Sequence, residues 1–233
     1  TYPPRPVQGF HKKDELQLLV QRRSSAKPLA GVTIKPDIVE RHYQLRANRR
    51  IAETFERDRQ RKALVVIATG AGKTRTVIAL VDLLQRANWA KRILFLADRV
   101  ALVSQAANVF KSHLPDAAAV NLVTDKETEG RVFVSTYPTM MGLINETDEG
   151  LRRFGVGHFD LIIVDEAHRS IYQKYKAIFA YFDALLVGLT ATPKDEIDRN
   201  TYGLFGLEDG VPTDAYGLED AIDEGYLVPA RAV

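Results

Sequence analysis

Lys73 and Thr74 follow directly on Thr69-Gly70-Ala71-Gly72, and about 90 residues later Asp165 and Glu166 stand side by side. Two glycines let a backbone turn tightly and bring its N–H groups against an anion. A helix opening at Lys73 would add unpaired N–H groups and a favourable dipole. In such a loop the Lys73 ammonium reaches β- and γ-phosphates and the Thr74 hydroxyl reaches a Mg²⁺. Asp165 suits the water shell of that ion, and Glu166, one residue further, can orient or deprotonate an attacking water. Thr190 and Thr192 flank one small residue before Pro193, and their hydroxyls could hydrogen-bond Glu166 or His168 and report what the site holds. Each motif alone has a plainer reading: a strand-turn-helix connection, a solvated strand end, a strand-to-turn exit, a structural histidine. Ile67 also stands where the general phosphate-loop pattern has its first glycine. The remaining histidines, His11, His42, His113 and His158, show no metal-ligand spacing.

The elements that must position these residues are legible as short apolar runs. Ala63–Ile67 reads as a buried strand ahead of the glycine loop, and Leu161–Val164 as another ahead of the acidic pair. Ile93–Ala97, Ala118–Val123, Val132–Val134 and Leu185–Leu189 continue the series, with a helix predicted over Val100–Phe110. Alternation of strand and helix predicts an α/β domain whose central, mostly parallel sheet is covered by helices on both faces. Ligands in such sheets bind at the carboxyl ends of the strands, where every polar motif above lies. Pro36-Asp37 predicts the start of a helix of roughly 20 residues, Asp37 as N-cap, with Tyr43, Ala47, Ile51 and Phe55 along its buried face. Residues 1–37, with Pro3, Pro4, Pro6, Pro28 and Gly31, read as a lead-in linker carrying one short helix.

Composition narrows the class. The chain has 233 residues, 45% apolar and 27% charged, as in a soluble globular protein with one large domain. No apolar run approaches a membrane span and no signal-peptide pattern opens the chain, so no membrane partner is expected. The absence of cysteine excludes disulfides, thiolate nucleophiles and Cys-ligated zinc, and fits a cytoplasmic protein. The missing initiator Met suggests a piece of a longer chain. Net charge is only +2 but lopsided: residues 1–62 hold 15 Lys/Arg against 7 Asp/Glu, and residues 195–233 hold 2 against 10. A basic face near the start suits nucleic acid, or is a solvated helix surface.

Together IATGAGKT, VDEAHRS and GLTATP, in this order, resemble motifs I, II and III of superfamily-2 helicases and translocases across residues 38–193. Arg41-His42-Tyr43-Gln44, FLADRVALVSQA, VSTYPTM, NTYGLFG and YGLEDAIDEGYLVP further resemble the motor (R) subunit of type I restriction enzymes. The resemblance implies a three-layer RecA-like P-loop NTPase lobe over 38–226 that uses ATP and Mg²⁺, with 227–233 leaving toward a second lobe. It implies that Gln44 reads the adenine edge and that Arg99, Thr136 and Tyr137 meet the DNA backbone, though Tyr137 reads equally as a core anchor. It implies that His168, Thr190 and Thr192 couple hydrolysis to lobe closure. Implied partners are double-stranded DNA, a second motor lobe and a nuclease domain of the same full-length chain, and modification and specificity subunits. The second lobe and its arginine fingers have no counterpart before Val233, so the isolated lobe is expected to hydrolyse ATP weakly. Another superfamily-2 DNA repair or RNA helicase is the alternative. A P-loop kinase or GTPase lacks its N-K-x-D or acceptor site here, and a non-hydrolysing scaffold would not need Glu166.

Overall fold

Among the described residues, seven strands line up in the order β3-β4-β2-β7-β8-β1-β9, every neighbouring pair parallel. They are β1 (Lys62–Ile67), β2 (Ile93–Ala97), β3 (Ala119–Asn121), β4 (Val132–Thr136), β7 (Leu161–Val164), β8 (Leu185–Thr190) and β9 (Asp214–Tyr216). A separate two-stranded hairpin, β5 (Thr147–Asp148) and β6 (Leu151–Arg152), lies in the β4–β7 crossover. The structure is a computed structural model and describes residues 2–125, 129–148, 151–167, 169–192 and 194–229.

Period-2 alternation divides the core in two. Ala63, Val65 and Ile67 of β1, Ile93 and Phe95 of β2, and Leu161 and Ile163 of β7 face one side with the buried residues of α2 (His42–Glu56), α3 (Lys73–Arg86) and α4 (Val100–His113). Leu64, Leu94, Leu96, Ile162 and Val164 face the other, with residues of α5 (Tyr137–Leu143), α6 (Arg169–Tyr181) and α7 (Arg199–Phe205). Strands buried on both faces need side chains that are apolar throughout, which is why they read as continuous runs. The result is the three-layer RecA-like architecture.

The sequence-based boundaries hold at Ile93–Ala97 and Leu161–Val164 and shift at α2. That helix opens at His42 and has 15 residues, because Ile38 and Val39 first anchor a turn whose amides both donate to the Lys35 carbonyl at 3.2 Å. Asp37 therefore caps nothing. Tyr43, Ala47, Ile51 and Phe55 are all buried as expected. Val100 is more than half exposed, whereas Val103, Ala107 and Phe110 face inward.

The lead-in is held more closely than a linker would be. After Tyr2 the chain runs along the amino ends of the strands, opposite the phosphate loop, and forms α1 (Lys13–Ser25). Asp183, ahead of β8, accepts two hydrogen bonds from Arg5 at 2.6 and 2.5 Å and one from Arg61 at 3.0 Å. Arg22 of α1 pairs with Asp160, ahead of β7, at 2.7 Å. Leu29 and Ile34 enter the core. Among the described residues no helix is long and apolar enough to cross a membrane.

Candidate nucleotide site

The phosphate loop grows out of the sheet's carboxyl edge, one strand in from its β9 end. β1 is flanked by β8 and β9, and the Ala68 amide continues the ladder to the Tyr216 carbonyl at 3.0 Å. Gly70 and Gly72 then adopt φ of +84° and +88°, a left-handed conformation that strains any residue with a Cβ. α3 starts immediately after, at Lys73, so its first amides open into the loop. Ile67 ends β1 with its side chain in the core, on the same face as Ala63 and Val65, clear of the loop. A bulky residue at this point therefore leaves the cradle intact.

Gln44 lies against this loop rather than on the surface. It is 3% exposed, and its Nε2 donates to the Gly72 carbonyl at 3.3 Å. A Cβ on Gly72 would come within 2.6 Å of that nitrogen. The neighbouring Tyr43 hydroxyl donates to the Ala71 carbonyl at 2.8 Å. Thr69 and Gly70 are exposed, Ala71 is buried, and Gly72, Lys73 and Thr74 are half-buried.

β8 alone separates β1 from β7 in the sheet, and this brings the acidic pair to the loop. Lys73 Nζ is 3.5 Å from Glu166 Oε1. Glu166 has φ of +55°, rare for a residue with a side chain, and its amide donates to Asp165 Oδ1 at 3.1 Å. Burial, and then the Glu166 charge, push the Asp165 carboxyl above its usual pKa, with Lys73 opposing them. A buried carboxylate beside a second one is stabilised by a bound cation, and the oxygen donors of Asp165 and Thr74 are of the kind Mg²⁺ takes.

Thr190 is fully buried opposite Val66 of β1, and its Oγ1 accepts the Thr192 amide at 3.1 Å. His168 and Pro193 lie outside the described residues. Arg99 precedes α4 with an 80% exposed side chain, its Nε 3.4 Å from Asp98. Thr136 sits opposite Ala97 in the β2–β4 ladder, so both strands end side by side. It is buried, and its hydroxyl caps α5 by accepting the Thr139 amide at 3.3 Å. Of the two readings of Tyr137, the structure has the core anchor: the side chain has no exposed area and its hydroxyl donates to the Asp165 carbonyl at 2.8 Å.

Sequence reasoning missed a cluster around the loop. Tyr43 stacks on Tyr216 of β9 with centroids 3.8 Å apart, and the Arg41 guanidinium lies 4.9 Å above the Tyr226 ring while donating to the Tyr43 hydroxyl. Leu227 Cδ2 lies 3.2 Å from the position a Cβ on Gly70 would take. β9 has only three residues, too short for periodicity to reveal, so apolar patterning gave no sign that 214–227 folds back onto the loop.

Residues 37–195 match a family model described as "Type III restriction enzyme, res subunit". The chain belongs to this family. The matched stretch holds the loop, the acidic pair and both threonines, and it makes the protein a member of the superfamily-2 helicase-like ATPases. A type I restriction enzyme EcoAI endonuclease subunit from Escherichia coli is 33% identical over 83% of this chain and 24% of its own length. The chain thus spans about a quarter of that relative. Among solved structures, the helicase domain of Pyrococcus furiosus Hef shares the fold with a TM-score of 0.57 at 21% identity, over 86% of this chain and 43% of that one. The Type ISP restriction-modification enzyme LlaGI, solved with a DNA substrate mimic, does so with a TM-score of 0.53 at 18% identity, over 79% of this chain and 20% of that one.

Proposed function

We propose that this chain is the ATP-binding and hydrolysing first lobe of a double-stranded DNA translocase, within the endonuclease subunit of a type I restriction-modification enzyme. The observation that carries the reading is the 3.5 Å approach of Lys73 to Glu166, which unites two motifs far apart in sequence at one carboxyl edge. Amides of residues 69–74 and the Lys73 ammonium would hold the triphosphate, Lys73 exchanging Glu166 for phosphate oxygens. Gln44, seated against Gly72, would read the base. Thr74 and Asp165 would hold Mg²⁺, which would neutralise phosphate charge during hydrolysis. Glu166, released from Lys73, orients the attacking water and accepts its proton. Thr190 and Thr192 carry the change toward lobe closure, with His168.

Arg99, 80% exposed just past the carboxyl end of β2, supports a DNA-facing edge beside Thr136 and α5. The name of the curated relative and the DNA-bound LlaGI structure support the same assignment. The second motor lobe, the nuclease domain and the modification and specificity subunits are the partners this role requires. In the full-length protein, Lys73→Ala and Glu166→Gln should each abolish duplex-stimulated ATP hydrolysis and triplex displacement. Full activity in Glu166→Gln would overturn the role given to that carboxylate.

A further inference from the structure

Tyr137 links the proposed DNA-facing edge to the acidic pair. It is the first residue of α5, just past the end of β4, yet its hydroxyl reaches behind β2 to the end of β7. There it donates to the Asp165 carbonyl at 2.8 Å and lies 3.5 Å from the Leu96 carbonyl of β2. The same side chain stacks on Tyr175, centroids 5.3 Å apart and planes 18° from parallel, and Tyr175 marks the non-helical residue within α6. Burial holds the Tyr137 phenol well above its usual pKa, so it stays a donor.

The acceptor matters because of what it belongs to. The Asp165 carbonyl and the Glu166 N–H are two ends of one peptide unit. Tyr137 grips the oxygen end, and Asp165 Oδ1 grips the nitrogen end at 3.1 Å. Rotation of that unit changes ψ of Asp165 and φ of Glu166 together. Glu166 is held at φ +55°, a conformation that persists only when its surroundings over-determine it. Without the hydroxyl the unit can turn, φ relaxes toward negative values, and the Glu166 carboxylate swings away from Lys73.

We infer that Tyr137 is a positioning residue for hydrolysis: it locks the Asp165–Glu166 peptide in the geometry that aims Glu166, and ties that geometry to α5. The inference rests on the proposed function, which sets the β4–α5 junction against the DNA strand. Displacement of α5 on duplex binding then alters the aim of Glu166 directly, without a change at the nucleotide loop.

The test uses the full-length protein and compares wild type with Tyr137→Phe, which removes one oxygen. Steady-state ATP hydrolysis is measured without DNA and across a duplex titration. A lost hydrogen bond on the path to the transition state lowers the duplex-saturated kcat about tenfold. The basal rate falls less, because only the stimulated rate also draws on the tie to α5, so the ratio of stimulated to basal rate drops, while the duplex concentration giving half-stimulation moves less than about twofold, since Tyr137 is buried. A merely structural role would lower both rates in proportion and leave the ratio intact, and that result, or an unchanged kcat, overturns the inference. Absence of stimulation in the wild-type enzyme overturns the proposed function itself, and the inference with it. Should Tyr137→Phe fail to fold, Tyr175→Leu carries the same reading: losing the stacked ring lowers the ratio about threefold.

Discussion

Replacing Gly72 by alanine isolates the contact between the phosphate loop and Gln44. At φ +88° the methyl imposes left-handed strain of about 1–2 kcal/mol. The same methyl would stand 2.6 Å from Gln44 Nε2, where ordinary contact begins at 3.4 Å. The amide must therefore withdraw by nearly an ångström. In doing so it loses its 3.3 Å bond to the Gly72 carbonyl, a further ~1 kcal/mol. Gly72→Ala should thus destabilise the domain by about 2–3 kcal/mol in urea unfolding at unchanged m-value. In a Gln44→Ala background only the backbone strain remains, so the two substitutions should couple by about 1 kcal/mol. ATP affinity should fall about tenfold or more, because the loop amides no longer converge. A stability loss below ~0.5 kcal/mol, or additivity within ~0.3 kcal/mol, would refute the argument.

Other consequences follow from the same geometry. At position 166 the usual order of side chains should reverse: Glu166→Gly should be about 1 kcal/mol more stable than Glu166→Ala, since only glycine is relaxed at φ +55°; equal melting curves would remove the strain. Asp183→Asn removes the negative charge shared by Arg5 and Arg61 and should cost about 2 kcal/mol, discounted because Arg5 is partly exposed. Proteolysis should then cut within residues 2–12 first. Burial, and then the charges of Arg92 and Lys12, push His158 from 6.5 down to about 3. Its folded pKa lies below its unfolded one, so its contribution is complete above pH 6.5 and is lost as pH falls toward 3. The slope approaches ~1.4 kcal/mol per pH unit across that window. His158→Gln should flatten this part of the stability profile; an unchanged profile would show that the imidazole is solvated.

The sheet was legible because its strands are buried on both faces. Continuous apolar runs such as Leu161–Val164 can be little else when each empties into polar residues. The candidate site was legible because a phosphate-binding loop has a particular order of glycine, lysine and hydroxyl, with acids at a strand end, whatever surrounds them. Local sequence therefore determined the strands, the loop and the identity of Lys73, Thr74, Asp165 and Glu166. It did not determine where α2 begins, since Ile38 and Val39 are drawn into the core before the helix can start. Nor did it reveal the fold-back of 214–227 onto the loop or the anchoring of the lead-in at Asp183, which join residues roughly 160 to 180 positions apart. Tyr137 shows the difference most clearly. Its neighbours in sequence fit a DNA contact and a core anchor equally, and only the strand order β4-β2-β7 brings its hydroxyl to the Asp165–Glu166 peptide. Pairing of non-adjacent strands is decided by the packing of the whole sheet, so contacts across it are the part a sequence read locally does not contain.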